Sequence, residues 1–245
     1  MITQAVHASG FMKVEALAQL ADVSEITIRR DLADLASRGV VRRTQGGAAR
    51  TLKEGEPVPF AVRYSNDREV KTLLGVAGAS KVADYESVII DSGTTPYAVA
   101  LELSGRPVTA LALSLHSAVA LGSKQGAQVI VPGGPVQVDT LAMSGSAALD
   151  SIRSMQADVF VLGFCGLTSD GGLTAMHYEE AQIKKAAIAA SKRVVLVSLG
   201  ENLGRTANFR FGSTSDITDL ITTKDADPET VRLFEMDGVK VTRVE

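Results

Sequence analysis

The clearest hydrophobic pattern in the chain starts at Ser24. Apolar residues fall at Ile28, Leu32 and Leu35, with Ala36 beside them. This is the i, i+4, i+7, i+8 stripe of a helix buried along one face. Ser24 stands before the stripe as a good N-cap and Gly39 after it as a good stop. The preceding segment, 14–21, reads as a shorter helix with Leu17, Leu20 and Ala21 inward, and Asp22-Val23 make the turn between the two. A first helix over 1–8 would turn Ile2, Ala5 and Val6 inward, with Ser9-Gly10 closing it. Phe11–Lys13 is placed to pair with the ribbon expected after Gly39: Val40-Val41, Arg42, Arg43, then Gly46-Gly47.

The pattern changes further along. Two prolines and alternating charge in 51–62 argue against continued helix there. An amphipathic helix is expected from Asn66 or Asp67, carrying Leu73, Leu74, Val76, Ala77 and Val82 as its apolar residues. From Ser87, β-branched runs (87–91, 107–113, 127–132, 158–163, 193–199, 219–223 and 240–244) alternate with helical patterns at 96–104, 115–124, 145–155, 179–190 and 228–237. Several runs are apolar without alternation, as expected of strands covered on both faces. Strand–helix alternation predicts a doubly wound, mostly parallel α/β sheet. The expected organisation is a winged helix-turn-helix domain over 1–52 (helix-turn-helix about 14–33), a linker over 53–66 and an α/β domain over 67–245.

The chemistry of the first domain lies on its outward face. At about 100° per residue, Arg30 points almost directly away from the buried stripe, Ile26 and Thr27 flank it, and Arg29 lies at the edge. With Ser24 these groups can contact phosphates and base edges in a DNA major groove, and Arg42 and Arg43 on the wing can grip the backbone. An arginine pair alone reads as solvation of a surface helix. Turn, cap, stripe and basic wing together favour a DNA-binding winged helix-turn-helix. The charge distribution agrees: residues 1–50 hold seven Lys/Arg against five Asp/Glu, and the remainder 18 against 23.

Composition narrows the rest. With 45% hydrophobic and 22% charged residues, a buried core and an ordinary soluble protein are expected. Cys165 is the only cysteine, which excludes a disulfide framework and a cysteine metal site. It reads as a small hydrophobe rather than a nucleophile. His7, His116 and His177 have no metal-ligand spacing. Neither metal nor cofactor is expected. No apolar run approaches a membrane span, and the N-terminus does not read as a signal peptide, so a cytoplasmic location is expected.

A ligand site is expected where Asp91-Ser92-Gly93-Thr94-Thr95-Pro96 follows a buried strand and opens a helix, with Thr95 as N-cap and Pro96 at the first helical position. Gly93 permits close approach, and free N–H groups with two threonine hydroxyls would face an anion. An ordinary capped βα turn is the competing reading. Gly133-Gly134 and the Gly163-to-Gly166 turn sit at other strand ends, where α/β sheets bind ligands. Glu180 and Lys184 are i, i+4 partners and read first as a surface ion pair. A place for Lys184 beside the ligand is the second reading.

The segment SEITIRRDLADLASRGVVRRTQGGA resembles the signature of DeoR-type bacterial transcription regulators nearly residue for residue. DSGTT at 91–95, Gly133-Gly134, DVFVLGFCGL and EEAQIKK resemble the sensor domain of the same family, related in fold to ribose-5-phosphate isomerase and CoA-transferase-like proteins. The resemblance implies a repressor of carbohydrate genes whose second domain senses a phosphorylated sugar, with Ser92, Gly93, Thr94 and Thr95 holding its phosphate. The family usually carries about two further helical turns at the N-terminus, so truncation there is an expectation. The chain also departs from the pattern at Leu199-Gly200-Glu201-Asn202-Leu203-Gly204, which lacks the family's acid and lysine, and at Ala112-Leu113-Ser114, which replaces Thr-Asn-Ser. Arg205 is the candidate substitute for the lysine. The expected effector set is therefore Asp91, Ser92, Gly93, Thr94, Thr95, Gly133, Gly134, Gly166, Lys184 and Arg205.

One small reading head offers little area for specificity, so a homodimer or homotetramer on double-stranded operator DNA is expected. Two competitors stand beside this reading. One is a sugar-phosphate isomerase or hydrolase, for which Asp91, Glu179 and Glu180 are the candidate acid/base groups. The other is a DNA-binding protein whose sensor domain has lost its ligand.

Overall fold

The computed structural model describes residues 1–37, 40–50, 59–163 and 166–245, and the chain forms two units, Met1–Arg68 and Glu69–Glu245. Gly39, Phe164, Cys165 and the part of the expected linker before residue 59 lie outside the described residues.

The first unit runs α1 (Ile2–Ser9), β1 (Phe11–Lys13), α2 (Val14–Ala21), α3 (Glu25–Ser37), β2 (Val41–Thr44), β3 (Gly47–Arg50) and α4 (Phe60–Ser65). Its core joins Val6, Val14, Leu17, Ala18, Ile28, Leu32, Val41 and Ala48. Asp22 closes α2 in the left-handed conformation (φ 52°), and its N–H bonds back to Ala18 and Gln19. Aspartate tolerates this conformation better than most residues. Ser24 Oγ accepts from Thr27 N at 3.2 Å, the N-cap bond expected of it. Strands β2 and β3 form an antiparallel ribbon around Gln45-Gly46, and β1 adds to its far edge. Gly47 makes that addition possible, because a Cβ there would lie 2.3 Å from the Met12 carbonyl oxygen.

Two expectations fail in this unit. Leu20 is half exposed rather than inward. The buried stripe of α2 is Val14, Leu17 and Ala18, centred about a third of a turn from Leu20. Phe60–Ser65, inside the expected linker, is helical, and Phe60 and Val62 are buried. Pro59 stands just outside this helix as its N-cap, where it costs no helical hydrogen bond.

The second unit continues with α5 (Arg68–Ala79), β4 (Ser87–Ile90), α6 (Thr94–Leu103), β5 (Thr109–Ala112), α7 (Leu115–Leu121), β6 (Gln128–Ile130), α8 (Gly145–Arg153), β7 (Ala157–Gly163), β8 (Gly166–Leu167) and β9 (Gly172–Ala175). Then come α9 (Tyr178–Ala189), β10 (Ser191–Val197), β11 (Phe209–Ser213), β12 (Asp219–Thr223), α10 (Pro228–Met236) and β13 (Lys240–Val244). The seven expected strands form one parallel sheet in the order β13-β12-β10-β7-β4-β5-β6. Alternate residues of each strand face opposite cores. Ile89, Leu111, Phe160, Leu162 and Leu196 pack beneath α8, α9 and α10, while Val88, Ile90, Val159, Val161 and Val197 pack beneath α5, α6 and α7. Burial on both faces explains why the strands read as unbroken apolar runs.

Here too the apolar pattern misleads at one helix. Leu73 and Val76 of α5 are exposed, and its buried face includes Leu74, Gly75 and Gly78. A Cβ at Gly75 would stand 2.7 Å from the Ala98 carbonyl oxygen on α6, so the two helices meet backbone to backbone. A face made of glycine carries no hydrophobic signal. The small antiparallel sheet β11-β9-β8 was likewise unexpected. Its strands are short and interrupted by Gly166, Gly172 and Gly212.

Candidate functional site

In the first unit, α3 presents Ile26, Arg29 and Arg30 to solvent, and Ser24 and part of Thr27 lie at its start. The two arginines are not equivalent. Arg29 is tied to Glu25 at 3.1 Å one turn back, whereas Arg30 has no ion pair among the described residues. Arg30 is the guanidinium free to reach a partner without breaking a bond. Arg42 and Arg43 are both exposed on β2, opposite Ala49 and Ala48 across the ribbon. This is the form of a winged helix-turn-helix: a recognition helix followed by a basic ribbon.

In the second unit the strand order reverses at β4. The chain lays β5 and β6 to one side, then returns with β7 on the other. Ligands of open α/β sheets bind outside the carboxyl ends of the strands at such a switch point. Asp91 follows β4 there, and Gly163 ends β7. Asp91 is buried, and its Oδ1 accepts from Ser92 N at 2.8 Å. Its Oδ2 accepts from Gly163 N at 3.0 Å and from Lys184 Nζ. Lys184 Nζ also donates to the Gly163 carbonyl at 3.1 Å and lies 5.8 Å from the centre of the Phe211 ring. Burial pushes the Asp91 carboxyl above the ordinary carboxylate range, and Lys184 opposes that shift.

This overturns the surface-pair reading of Lys184. Its side chain is only 1% exposed, and its tightest partner is Asp91, 93 residues away; Glu180 stands at 3.6 Å. The signal was present in α9, where Lys184 falls on the buried stripe with Ala181 and Ala187. A lysine in such a stripe requires an internal counter-charge.

The Asp91 network fixes the loop that opens α6. A Cβ at Gly163 would lie 3.1 Å from the Ser92 carbonyl oxygen, so β7 closes tightly on this loop. Gly93, at φ 117°, is the N-cap, rather than Thr95. Thr94 and Thr95 occupy the first two helical positions and Pro96 the third, not the first. The first-turn amides of a helix have no intrahelical acceptor, and Pro96 has no N–H to offer. The amides of Thr94 and Thr95 are therefore the helix-end donors of this loop without an intrahelical acceptor. Ser92, Gly93 and Thr95 are partly exposed, and Thr94 is 8% exposed.

The other expected effector residues are dispersed. Gly133-Gly134 follows β6, two strands from β4 and so roughly 10 Å across the sheet. Gly134 (φ 108°) approaches the Ser144 carbonyl oxygen. Gly166 is packed inside the small sheet, where a Cβ would meet Thr174 Oγ1 at 2.6 Å. The Arg205 side chain is 64% exposed and lies 4.0 Å from Glu201. Leu113 enters the core, while Ser114 caps α7 by accepting from Ser117 N. Among the described residues no cluster of His, Cys, Asp or Glu is arranged to hold a metal. No described helix is long and apolar enough to cross a membrane.

A winged helix-turn-helix joined in one chain to an α/β unit whose strand order reverses at β4 has the architecture of a transcription regulator with a sensor domain. The family follows from comparison with known proteins. A model described as the DeoR-like helix-turn-helix domain matches residues 1–53, and one described as the DeoR C terminal sensor domain matches residues 66–224. The chain belongs to the DeoR family of DNA-binding transcriptional regulators and is not an enzyme. It is 32% identical over 228 residues to the glycerol-3-phosphate regulon repressor of Escherichia coli, covering 93% of this chain and 89% of that protein. It is 28% identical over 227 residues to the transcriptional repressor GlcR of Bacillus subtilis, covering 93% and 88%. Among solved structures, ribose 5-phosphate isomerase A from Neisseria gonorrhoeae aligns at a TM-score of 0.40 with 16% identity, over 57% of this chain and 55% of that one.

Proposed function

We propose that the protein is a cytoplasmic repressor of carbohydrate genes, released from or retained on its operator by a phosphorylated sugar or related metabolite. The observation that carries the effector reading is the loop of residues 92–95. It is anchored by the buried Asp91–Lys184 pair at the switch point and opens a helix whose first two amides, those of Thr94 and Thr95, stand at the carboxyl end of β4. Such a helix end favours an anion through its dipole and its unpaired donors. The two relatives named repressors, one of them named for the glycerol-3-phosphate regulon, support the sign of regulation and the ligand class.

Lys184 serves this site from below. Its ammonium is spent on Asp91 and Gly163, so the phosphate contacts are assigned to Ser92, Gly93, Thr94 and Thr95. Ser24, Thr27, Arg29, Arg30, Arg42 and Arg43 are assigned to DNA. The chain acts as a homodimer or homotetramer, which matches two-fold operator half-sites. Effector binding switches DNA affinity only by favouring one arrangement of the reading heads over another.

Calorimetry with a panel of sugar phosphates on the wild type, Thr94→Val and Asn202→Lys tests this reading. The Thr94 hydroxyl and the helix end do not depend on residue 202, so the wild type binds and Thr94→Val loses affinity. A lysine at 202 adds a charge-assisted bond of roughly 1.5–3 kcal/mol, or about ten- to a hundredfold. If no sugar phosphate binds the wild type and Asn202→Lys restores nothing, the sensor reading fails and a constitutive DNA-binder takes its place.

A further inference from the structure

Among the described residues of the first unit, the most exposed large hydrophobic side chain is Ile26, at 80%. Single exposed hydrophobics are ordinary on protein surfaces, so exposure alone says little. Position says more. Ile26 is the second residue of α3, and Arg30 follows it by four, so the two lie about 40° apart on the helix, one turn above the other. Both point away from the buried Ile28 and Leu32. Ala33, three residues beyond Arg30, is also exposed. The outward line of α3 thus opens apolar and cationic, with the small Ala33 and the acidic Asp34 following one turn beyond Arg30. The Glu25 carboxylate, which would repel a phosphate backbone, is drawn aside by Arg29.

β-Branched isoleucine is also a less favourable helix former than a long polar residue at a solvated position. Its side chain is stiff at χ1, however, so it presents methyl groups in a defined direction with little further loss of freedom. Those properties suit contact with a fixed apolar target. In the major groove that target is the C5-methyl of thymine, the one apolar group among the base edges.

We infer that Ile26 determines operator specificity by packing on the C5-methyl of a thymine next to the base pair read by Arg30. The inference rests on α3 being the DNA-reading helix. Ile26 excludes cytosine at that position by the loss of a methyl contact and supplies no phosphate contact.

The test uses the full-length chain and a library of random duplexes, from which the wild type selects its preferred site. Each thymine of that site is then replaced by deoxyuridine, which removes only the methyl. One replacement weakens wild-type binding by roughly three- to tenfold, the scale of one buried apolar group. Ile26→Ala binds the thymine and deoxyuridine sites equally. Ile26→Gln, reselected on the library, replaces that thymine by adenine, which glutamine reads through N6 and N7. Both substitutions are on the surface and leave the thermal midpoint unchanged. If every deoxyuridine replacement weakens Ile26→Ala as much as the wild type, Ile26 reads nothing and the inference is wrong. If Arg30→Ala also selects the wild-type site with unchanged affinity, or the wild type selects no site, then α3 is not the reading helix and the broader assignment falls with it.

Discussion

Replacing Lys184 by methionine keeps most of the unbranched side chain and removes its charge. Four interactions go: the ion pair to Asp91 Oδ2, the 3.6 Å pair to Glu180, the 3.1 Å bond to the Gly163 carbonyl and the contact over Phe211. Asp91 is left buried at 2% exposure with a carboxylate that keeps only the Ser92 and Gly163 amides. Removing one partner of a buried pair costs about 3–5 kcal/mol, most of it from the stranded charge. The two remaining amide bonds place the expected loss near the lower end, about 3 kcal/mol.

In urea denaturation, with slopes of about 1–3 kcal/mol per molar, the transition of the α/β unit should fall by roughly 1–3 M. The double variant Asp91→Asn with Lys184→Met should recover much of that loss, because no charge is stranded. The pH dependence has a definite sign. Burial already raises the Asp91 pKa against the opposition of Lys184. Without the lysine it rises further, so folding takes up a proton between the ordinary carboxylate pKa and the folded one. The stability of Lys184→Met relative to wild type should therefore improve as the pH falls into that window and worsen as it rises through it. A loss under about 1 kcal/mol at neutral pH, or a deficit that grows in acid, would refute the buried pair as the anchor of this loop.

Arg30→Ala should abolish specific operator binding, a loss of tenfold or more in a gel-shift titration, while the fold is kept. Arg42→Ala and Arg43→Ala should instead weaken binding to all duplexes about equally and lower the salt slope by roughly one each, as read from affinities between 50 and 200 mM salt. Gly47→Ala should displace β1 from the ribbon, since its Cβ would overlap the Met12 carbonyl oxygen. Hydrogen exchange at Phe11–Lys13 should speed up in that variant, and unchanged protection there would count against the close approach.

Local periodicity carried a great deal of this molecule. The stripe of Ile28 and Leu32, the cap at Ser24 and the turn after α2 at Asp22 all stand where the residues placed them, because each depends on neighbours within a turn or two of chain. The seven β-branched runs became the seven parallel strands because their shortness and β-branched content favour strand over buried helix. The DSGTT loop was legible as a helix start at a strand end, though Pro96 sits at the third helical position rather than the first. What tertiary structure decided was which groups meet. Leu20 and Val76 are apolar and stay in water, while Gly75 and Lys184 are buried, because burial depends on what approaches a face and not only on its composition. A glycine face is silent to hydropathy, and a lysine in an apolar stripe becomes intelligible only when Asp91 arrives from the far end of another strand. Strand order is likewise not written in any strand. Only the return of β7 to the flank of β4 creates the reversal at which Asp91, Gly163 and Lys184 converge, and that convergence is a property of the closed sheet.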